Sequence, residues 1–340
     1  MKDTRIRRRI EKRRRTGKFK RLFFLSFMTI LIGAGSYFAY ILYSANQAIN
    51  NTYEEIDHNK LPSHRTEKIK LQKDPVTILL IGVENQEGGT GRSDVLMLVT
   101  MNPNTKETYL VSIPRDTRTY IPSKGKNDKI THSYYGGVSS TVETVQELLD
   151  IPIDYYVTTN FQGFEDIVDS LNGITVDVPF TFKAQLTGSL RWKTYTEGEM
   201  ELNGNEALAY VRMRKSDPRG DMGRNDRQKQ VIKAIVDKGT SFGSLTKVDD
   251  VLHDVGENVK TNLPAKDLVS FVQLYNKMKG SEVQTLQLEG YDDYINNVYY
   301  FIPNEESIKQ INSTLKTVLE NDSTSAATDN EDEAENVSMK

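Results

Sequence analysis

The sequence predicts an α/β fold, a mixed sheet covered by helices, preceded by one N-terminal transmembrane helix. Three observations carry this. Val76–Val83 (VTILLIGV) is a near-continuous apolar run, as expected of a strand buried on both faces. Strand-like and helix-like stretches alternate from there to about residue 320, which is the pattern of a mixed sheet with helical layers. Leu22–Tyr43 is 22 residues long without a charge, enough to cross a hydrocarbon core as a helix.

The elements follow in order. Residues 1–21 hold twelve Lys/Arg and two acids, which fix a cytoplasmic N-terminus by the positive-inside rule. Tyr37, Tyr40 and Tyr43 suit an interfacial belt at the outer end of the span. The protein is therefore expected in the cell membrane as a single-pass, type II chain with its body outside the cell. Residues 44–74 are polar and read as an extracellular stalk, and the folded domain occupies 75–320. After Val76–Val83, Val95–Met101 and Glu107–Ile113 are strands joined by the turn NPNTK, so they pair as a hairpin. A polar stretch leads to His132. A helix follows over Ser139–Asp150, with Ser140-x-x-Glu143 read as its capping box. Next come a strand at Ile153–Thr159, a helix at Phe161–Leu171, a strand at Ile174–Val178 and an excursion over 179–201 holding Trp192, the single tryptophan. Asn203–Ala209 reads as helix and Tyr210–Arg214 as extended, which turns Arg212 and Arg214 to one face. A helix then runs to about Lys238, with Gly239 as its stop. A helix near Ala265–Lys277, strands near Glu282–Leu288 and Asn297–Ile302, and a helix at Glu305–Glu320 complete the domain. Residues 321–340, with six acids and one Lys, form a disordered acidic tail.

Composition narrows the chemistry. The chain has no cysteine and four scattered histidines, which excludes disulfides, thiol catalysis and a His-rich metal site. The net charge of −3 conceals a strongly basic arm and an acidic body. An acidic body with one arginine-rich stretch does not fit a nucleic-acid partner.

That stretch is Tyr210–Val231, with seven Lys/Arg against three Asp. Helical spacing carries the stripe of Val231 and Ile235 back through Gln228 and Arg224, so these face the core side of the first turns. A helix N-terminus facing inward among arginines is a phosphate site. A surface network with Asp217, Asp221 and Asp226 is the plainer alternative. Glu84, Arg92 and Asp94 flank the loop between the first two strands, where α/β sheets bind ligands. Glu84 and Asp94 suit Mg²⁺, or are turn acids paired with Arg92. Arg115 and Asp116 follow another strand end, Asp116 placed to hold the guanidinium. Tyr155, Val157, Phe164, Ile167, Val168, Ile174, Val176, Phe180 and Phe182 are core, or in part the lining of a slot for a long hydrocarbon.

The motifs LLIGVE…GRSDVLML, VSIPRDT, DKITHSYYGG, LNGNEALAYVRMRKSDPRGDMGRNDRQKQVI and NVKTNL, in this order behind one membrane anchor, resemble the LytR-CpsA-Psr family, most nearly its LytR-type teichoic acid transferases. The resemblance covers roughly residues 75–305. It implies a three-layer α/β/α domain with a hydrophobic tunnel for a polyprenyl pyrophosphate. It also implies transfer of a phosphoglycan such as wall teichoic acid from that lipid to peptidoglycan. On the same footing Arg115, Arg212, Arg214, Arg224, Arg227 and Gln228 bind the pyrophosphate, and Lys129 faces the head group. Asp94, with Glu84, holds Mg²⁺, and Asp221 is a further motif acid. Arg92, Asp116 and Asp221 stand behind these. The chain departs from the family pattern at Glu84, where Asp is usual. Catalysis then falls to Glu84, Asp94 and Arg115, with Glu84 or Asp94 acting on the acceptor hydroxyl. Alternatives are a lipid-pyrophosphate presenting protein without chemistry and a lipid-pyrophosphate phosphatase. A transcriptional regulator is disfavoured, since the basic arm runs directly into a membrane span.

Overall fold

Val76–Val83 forms β1, and its alternation decides the layers. Leu79, Ile81 and Val83 enter one apolar cluster with Val138, Val142, Val145 and Leu149 of helix α1 (Gly137–Leu149) and Ile311, Leu315 and Val318 of helix α6 (Glu305–Glu320). Val76 and Ile78 enter another with Leu263 and with Leu274 and Met278 of helix α5 (Leu268–Met278). Helices thus cover both faces of the sheet. The computed structural model describes residues 53–56, 65, 69–84, 91–241, 258–264, 267–278, 280–281 and 283–320. The expected cytoplasmic segment, the span Leu22–Tyr43 and the acidic tail lie outside the described residues, as does much of the stalk. Among the described residues no helix is long and apolar enough to cross a membrane.

The sheet is mixed. β2 (Ser93–Asn102) and β3 (Glu107–Ser112) form the expected hairpin. Its turn is held by Asn102, whose Oδ1 accepts the Asn104 N–H at 2.9 Å. β6 (Tyr155–Thr159) lies parallel to β1, and β12 (Val283–Gln287) parallel to β3. With β11 (Val259–Thr261), the order is β11-β6-β1-β2-β3-β12. The C-terminal ends of β1, β3 and β6 therefore share one edge, the edge at which α/β sheets bind ligands.

Several local expectations are corrected. The polar stretch before His132 contains a hairpin, β4 (Arg118–Ile121) and β5 (Lys126–Lys129). Ser140 is no cap: α1 starts at Gly137, and the Ser140 hydroxyl lies inside, 2.5 Å from that of Ser123. The excursion folds into β8 (Phe182–Gln185) on β9 (Trp192–Tyr195), and β10 (Gly198–Leu202) on β7 (Ile174–Val178). Tyr210–Arg214 is not a strand. Helix α3 runs Gly204–Arg212, started by a full capping box between Asn203 and Glu206, and its Ala207–Val211 stretch is buried. Helix α4 runs Asp221–Ser241, through Gly239 rather than stopping there. The last strand, β14 (Val298–Pro303), pairs with an unforeseen β13 (Gly290–Ile295).

Candidate functional site

The shared edge carries a row of alternating charge. Asp94 enters β2 beside the end of β1, and Arg115 leaves β3. Arg115 Nη1 donates to Asp94 Oδ1 at 2.9 Å, and its Nε lies 3.5 Å from Asp116 Oδ2. Lys129 Nζ donates to Asp116 Oδ1 at 2.6 Å. The loop is fixed from below, because the Thr131 N–H donates to the Arg115 carbonyl at 3.1 Å. Burial works against the charged guanidinium, but the two carboxylates outweigh it and hold Arg115 above its ordinary pKa.

Three helices close over this edge. Helix α2 (Phe161–Ser170) starts at Asn160, whose side chain accepts the Gly163 N–H at 2.6 Å. Phe161, Phe164 and Ile167 fall on one face of it. α3 contributes Leu208, Val211 and Arg212, and α4 contributes Arg224, Gln228, Val231, Ile232 and Ile235. With Leu80, Gly82, Asp94, Val95, Arg115 and Val157 from the sheet, they line a cavity of about 350 Å³. Along α4 the lining runs from Arg224 to Ile235, about 16 Å at the helical rise per residue. Its polar members are Asp94, Arg115, Thr159, Asn160, Arg212, Arg224 and Gln228; Asp94, Arg212 and Arg224 stand at or near element ends, and Gln228 lies one turn further along α4. The Arg212 guanidinium also stacks 4.4 Å above the Phe161 ring.

Arg227 is elsewhere. It is 1% exposed and donates to the Asp217 carboxylate, to the Met213 carbonyl and, at 3.1 Å, to the Tyr210 carbonyl. Its guanidinium thus stitches the end of α3 to the start of α4. Burial alone would raise the Asp217 carboxyl, but Arg227 and the Arg219 N–H hold it below the usual range. Gly223 makes room for this pair, since a Cβ there would overlap the Asp217 carboxylate.

The other anticipated residues are distributed as follows. Arg214 lies beyond the end of α3, exposed and outside the cavity lining, because the helix breaks the alternation that would have paired it with Arg212. Glu84 is exposed at the end of β1, its N–H on the Arg92 carbonyl at 3.3 Å, and it does not line the cavity. Arg92 Nε donates to the Tyr135 hydroxyl at 3.3 Å. Asp221 is the first residue of α4. Lys129 stands behind the lining, between Asp116 and the rings of Tyr299 and Tyr300 at 5.6 and 5.8 Å. His132 Nδ1 is 2.9 Å from Asp128 Oδ1, and its ring stacks on Tyr135. Burial would raise Asp128, but hydrogen bonds from Lys124, His132 and the Lys129 N–H bring it down to about 2.

Of the apolar set, Val157, Phe164 and Ile167 line the cavity. Val168, Ile174, Val176 and Phe182 belong to a neighbouring core cluster. Phe161, Asn160 and Ile232 were not singled out from the sequence. Ile232 adjoins the Val231 stripe, which was the one available signal.

Among the described residues no three His, Cys, Asp or Glu form a metal cluster. Asp94 is the one acid in the cavity lining. Mg²⁺ commonly takes one or two carboxylates and completes its shell with water and substrate phosphate. Asp94 supplies one such carboxylate, its Oδ1 already accepting from Arg115 Nη1, while Glu84 stands outside the lining.

A family model described as the LytR_cpsA_psr family matches residues 37–317. The polyisoprenyl-teichoic acid–peptidoglycan teichoic acid transferase TagU of Bacillus subtilis is 41% identical over 309 residues, 89% of this chain and 98% of that protein. The crystal structure of B. subtilis TagV superposes with a TM-score of 0.64 at 41% identity, covering 73% of this chain and 98% of the other. A structure of TagT with bound octaprenyl pyrophosphate gives a TM-score of 0.61 at 33% identity, covering 78% and 99%.

Proposed function

The chain belongs to the LytR_cpsA_psr family, and we propose that it moves an anionic glycopolymer such as wall teichoic acid from a polyprenyl-pyrophosphate carrier to peptidoglycan. One observation carries the reading: an apolar slot whose lining brings three arginines, Arg115, Arg212 and Arg224, together with Gln228 and Asp94. Such a slot takes a hydrocarbon with a doubly charged anionic head.

In this reading the prenyl chain lies along Phe164, Ile167, Val211 and Ile235, and the pyrophosphate meets Arg115, Arg212, Arg224 and Gln228. Arg224 sits in the first turn of α4, where the helix end adds positive potential. A peptidoglycan hydroxyl attacks the phosphorus bearing the polymer. The new P–O bond forms as the bridging P–O bond breaks, and the prenyl monophosphate leaves. The arginines stabilise the charge gathering on that leaving group. Asp94 holds the Arg115 fork in place. The hydroxyl proton goes to a carboxylate at this edge, and Glu84, facing solvent, is the assigned acceptor. Mg²⁺ held by Asp94 and the pyrophosphate oxygens, with Glu84 as its further ligand whenever it is not taking the proton, would supply further charge neutralisation. The apolar stretch Leu22–Tyr43 anchors the chain in the cell membrane, with this domain outside.

The test uses the full-length protein in detergent with a polyprenyl-pyrophosphate-linked glycopolymer and peptidoglycan oligomers, with and without Mg²⁺. The expected products are a polymer–peptidoglycan phosphodiester and prenyl monophosphate. Prenyl monophosphate without the adduct would make the protein a phosphatase. Tight lipid binding without either product would make it a presenting protein.

A further inference from the structure

The sequence stretch Gly290–Pro303 reads GYDDYINNVYYFIP, with four tyrosines, two acids and no base. It folds into the β13–β14 ribbon, closed by Asn296 and Asn297, both in the left-handed region at φ 53° and 63°, as a tight two-residue hairpin requires. A lone ribbon is marginal in water, and this one is fastened at its base. Phe301 packs into the main core, and its N–H donates to the Asp116 carbonyl at 2.9 Å. The ribbon therefore grows directly from the loop that carries Arg115.

Pairing puts Asp292, Tyr294, Tyr299 and Phe301 on one face. Along that face contacts run outward without a break from the cavity edge. Lys129, held by Asp116, sits 5.6 Å from the Tyr299 ring. Tyr299 meets Tyr294 edge-on at 5.7 Å, and the Tyr299 hydroxyl donates to Asp292 at 2.8 Å. Tyr294 is 70% exposed, although an unbound tyrosine gains nothing from holding its ring in water.

We propose that this face of the ribbon binds the glycan strand of the acceptor. The proposal rests on the transferase reading. The C–H face of a pyranose is apolar and slightly positive, and it stacks on the electron-rich face of an aromatic ring. Carboxylates beside the ring accept sugar hydroxyl and acetamide N–H groups. Charge selects the acceptor over the donor. Asp292, on this face, repels a polyphosphate chain and attracts the amino groups borne by peptidoglycan stems. The ribbon thus leads the sugar chain toward Arg115 along the path Tyr299, Lys129 and Asp116.

The test compares full-length parent, Tyr294→Ala and Asp292→Asn proteins in detergent. Three probes are titrated separately: muramidase-released peptidoglycan oligomers, a poly(glycerol phosphate) oligomer and a short-chain polyprenyl pyrophosphate. Tyr294→Ala should weaken peptidoglycan-oligomer binding about tenfold, the worth of one aromatic stack, with prenyl-pyrophosphate affinity unchanged. Unaltered oligomer binding in both variants would overturn the proposal. So would a loss directed at poly(glycerol phosphate), which would give the ribbon to the donor. Failure of prenyl pyrophosphate to bind the parent would instead count against the lipid slot, and the oligomer titration would still judge the ribbon.

Discussion

Arg227 of α4 and Asp217 of the connection between α3 and α4 form a fully buried ion pair, with the two side chains 1% and 0% exposed. The guanidinium also satisfies two main-chain carbonyls, so each of its neighbours depends on it. Removing one partner of such a pair leaves a buried charge and costs about 3–5 kcal/mol. Arg227→Ala should lower the melting temperature by many degrees and weaken prenyl-pyrophosphate binding only through the displaced start of α4. Asp217→Asn should lower it less, and the double variant should recover part of the loss in a thermodynamic cycle. An Arg227→Ala protein as stable as the parent, but unable to bind lipid, would return Arg227 to the pyrophosphate site.

Gly223 offers a second approach to the same pair. A Cβ there would enter the space of the Asp217 carboxylate. Gly223→Ala should therefore destabilise the fold, although alanine ordinarily favours a helix interior by about 1 kcal/mol over glycine. Chemical denaturation measures the sign, and a stabilised Gly223→Ala protein would show that Asp217 can shift at little cost.

Arg115 differs from Arg227 in kind. Its side chain is 41% exposed and its partner Asp94 25%, so the pair contributes at most about 1 kcal/mol to stability. Arg115→Ala should fold with a near-parental melting temperature yet bind prenyl pyrophosphate about tenfold to a hundredfold less tightly, the loss of one or two charge-assisted hydrogen bonds. Equal lipid affinity in the two proteins, by calorimetry, would remove Arg115 from the head-group site.

The slot itself predicts a dependence on chain length. Each methylene buried along Phe164, Val211 and Ile235 contributes about 0.8 kcal/mol until the slot is full. Affinity should climb with prenyl length and then level off. Ile232→Trp should bring the plateau to shorter chains while leaving the shortest ligand nearly unaffected. A length-independent affinity would mean that the hydrocarbon lies outside this cavity.

How far the sequence could be read follows from what each residue contacts. The runs in β1, β2, β3 and β6 were legible because burial on both faces demands unbroken apolar residues. The stripe from Arg224 to Ile235 was legible because helical spacing alone assigns it. Arg227 was not. It stands one residue from Gln228, and helix phase says nothing about a loop that folds over the neighbouring face and brings Asp217 with it. Tyr210–Arg214 looked extended because its arginines alternate, while the signal for helix lay upstream in Asn203 and Glu206. The short strands β4, β5, β8 and β13 hid among Lys, Asn, Asp and Tyr, since each is only four to six residues long and pairs only with its neighbour in the chain. Lys129 was placed near the head group by motif. Its partners Asp116, Tyr299 and Tyr300 are far apart in sequence, and only the fold brings them together.

Asp154 supplies a pH-dependent prediction at the far end of β6. Its Oδ2 accepts the Thr77 N–H at 2.7 Å, and Arg65 Nε lies 3.6 Å from Oδ1. Burial raises the carboxyl from 3.8 to about 6, against the pull of Arg65 and the Thr77 N–H. The folded chain therefore holds this proton more tightly than the unfolded one. The resulting stability is fully present below about pH 4 and is lost as pH rises through about 6. The loss attributable to this group is on the order of 3 kcal/mol. Asp154→Asn keeps an oxygen for the Thr77 N–H and removes the titration. Urea unfolding between pH 4 and 7 should show a flatter profile for Asp154→Asn than for the parent, with the variant at least as stable at pH 7. An unchanged slope would mean that Asp154 stays ionised in the fold, with Arg65 outweighing its burial.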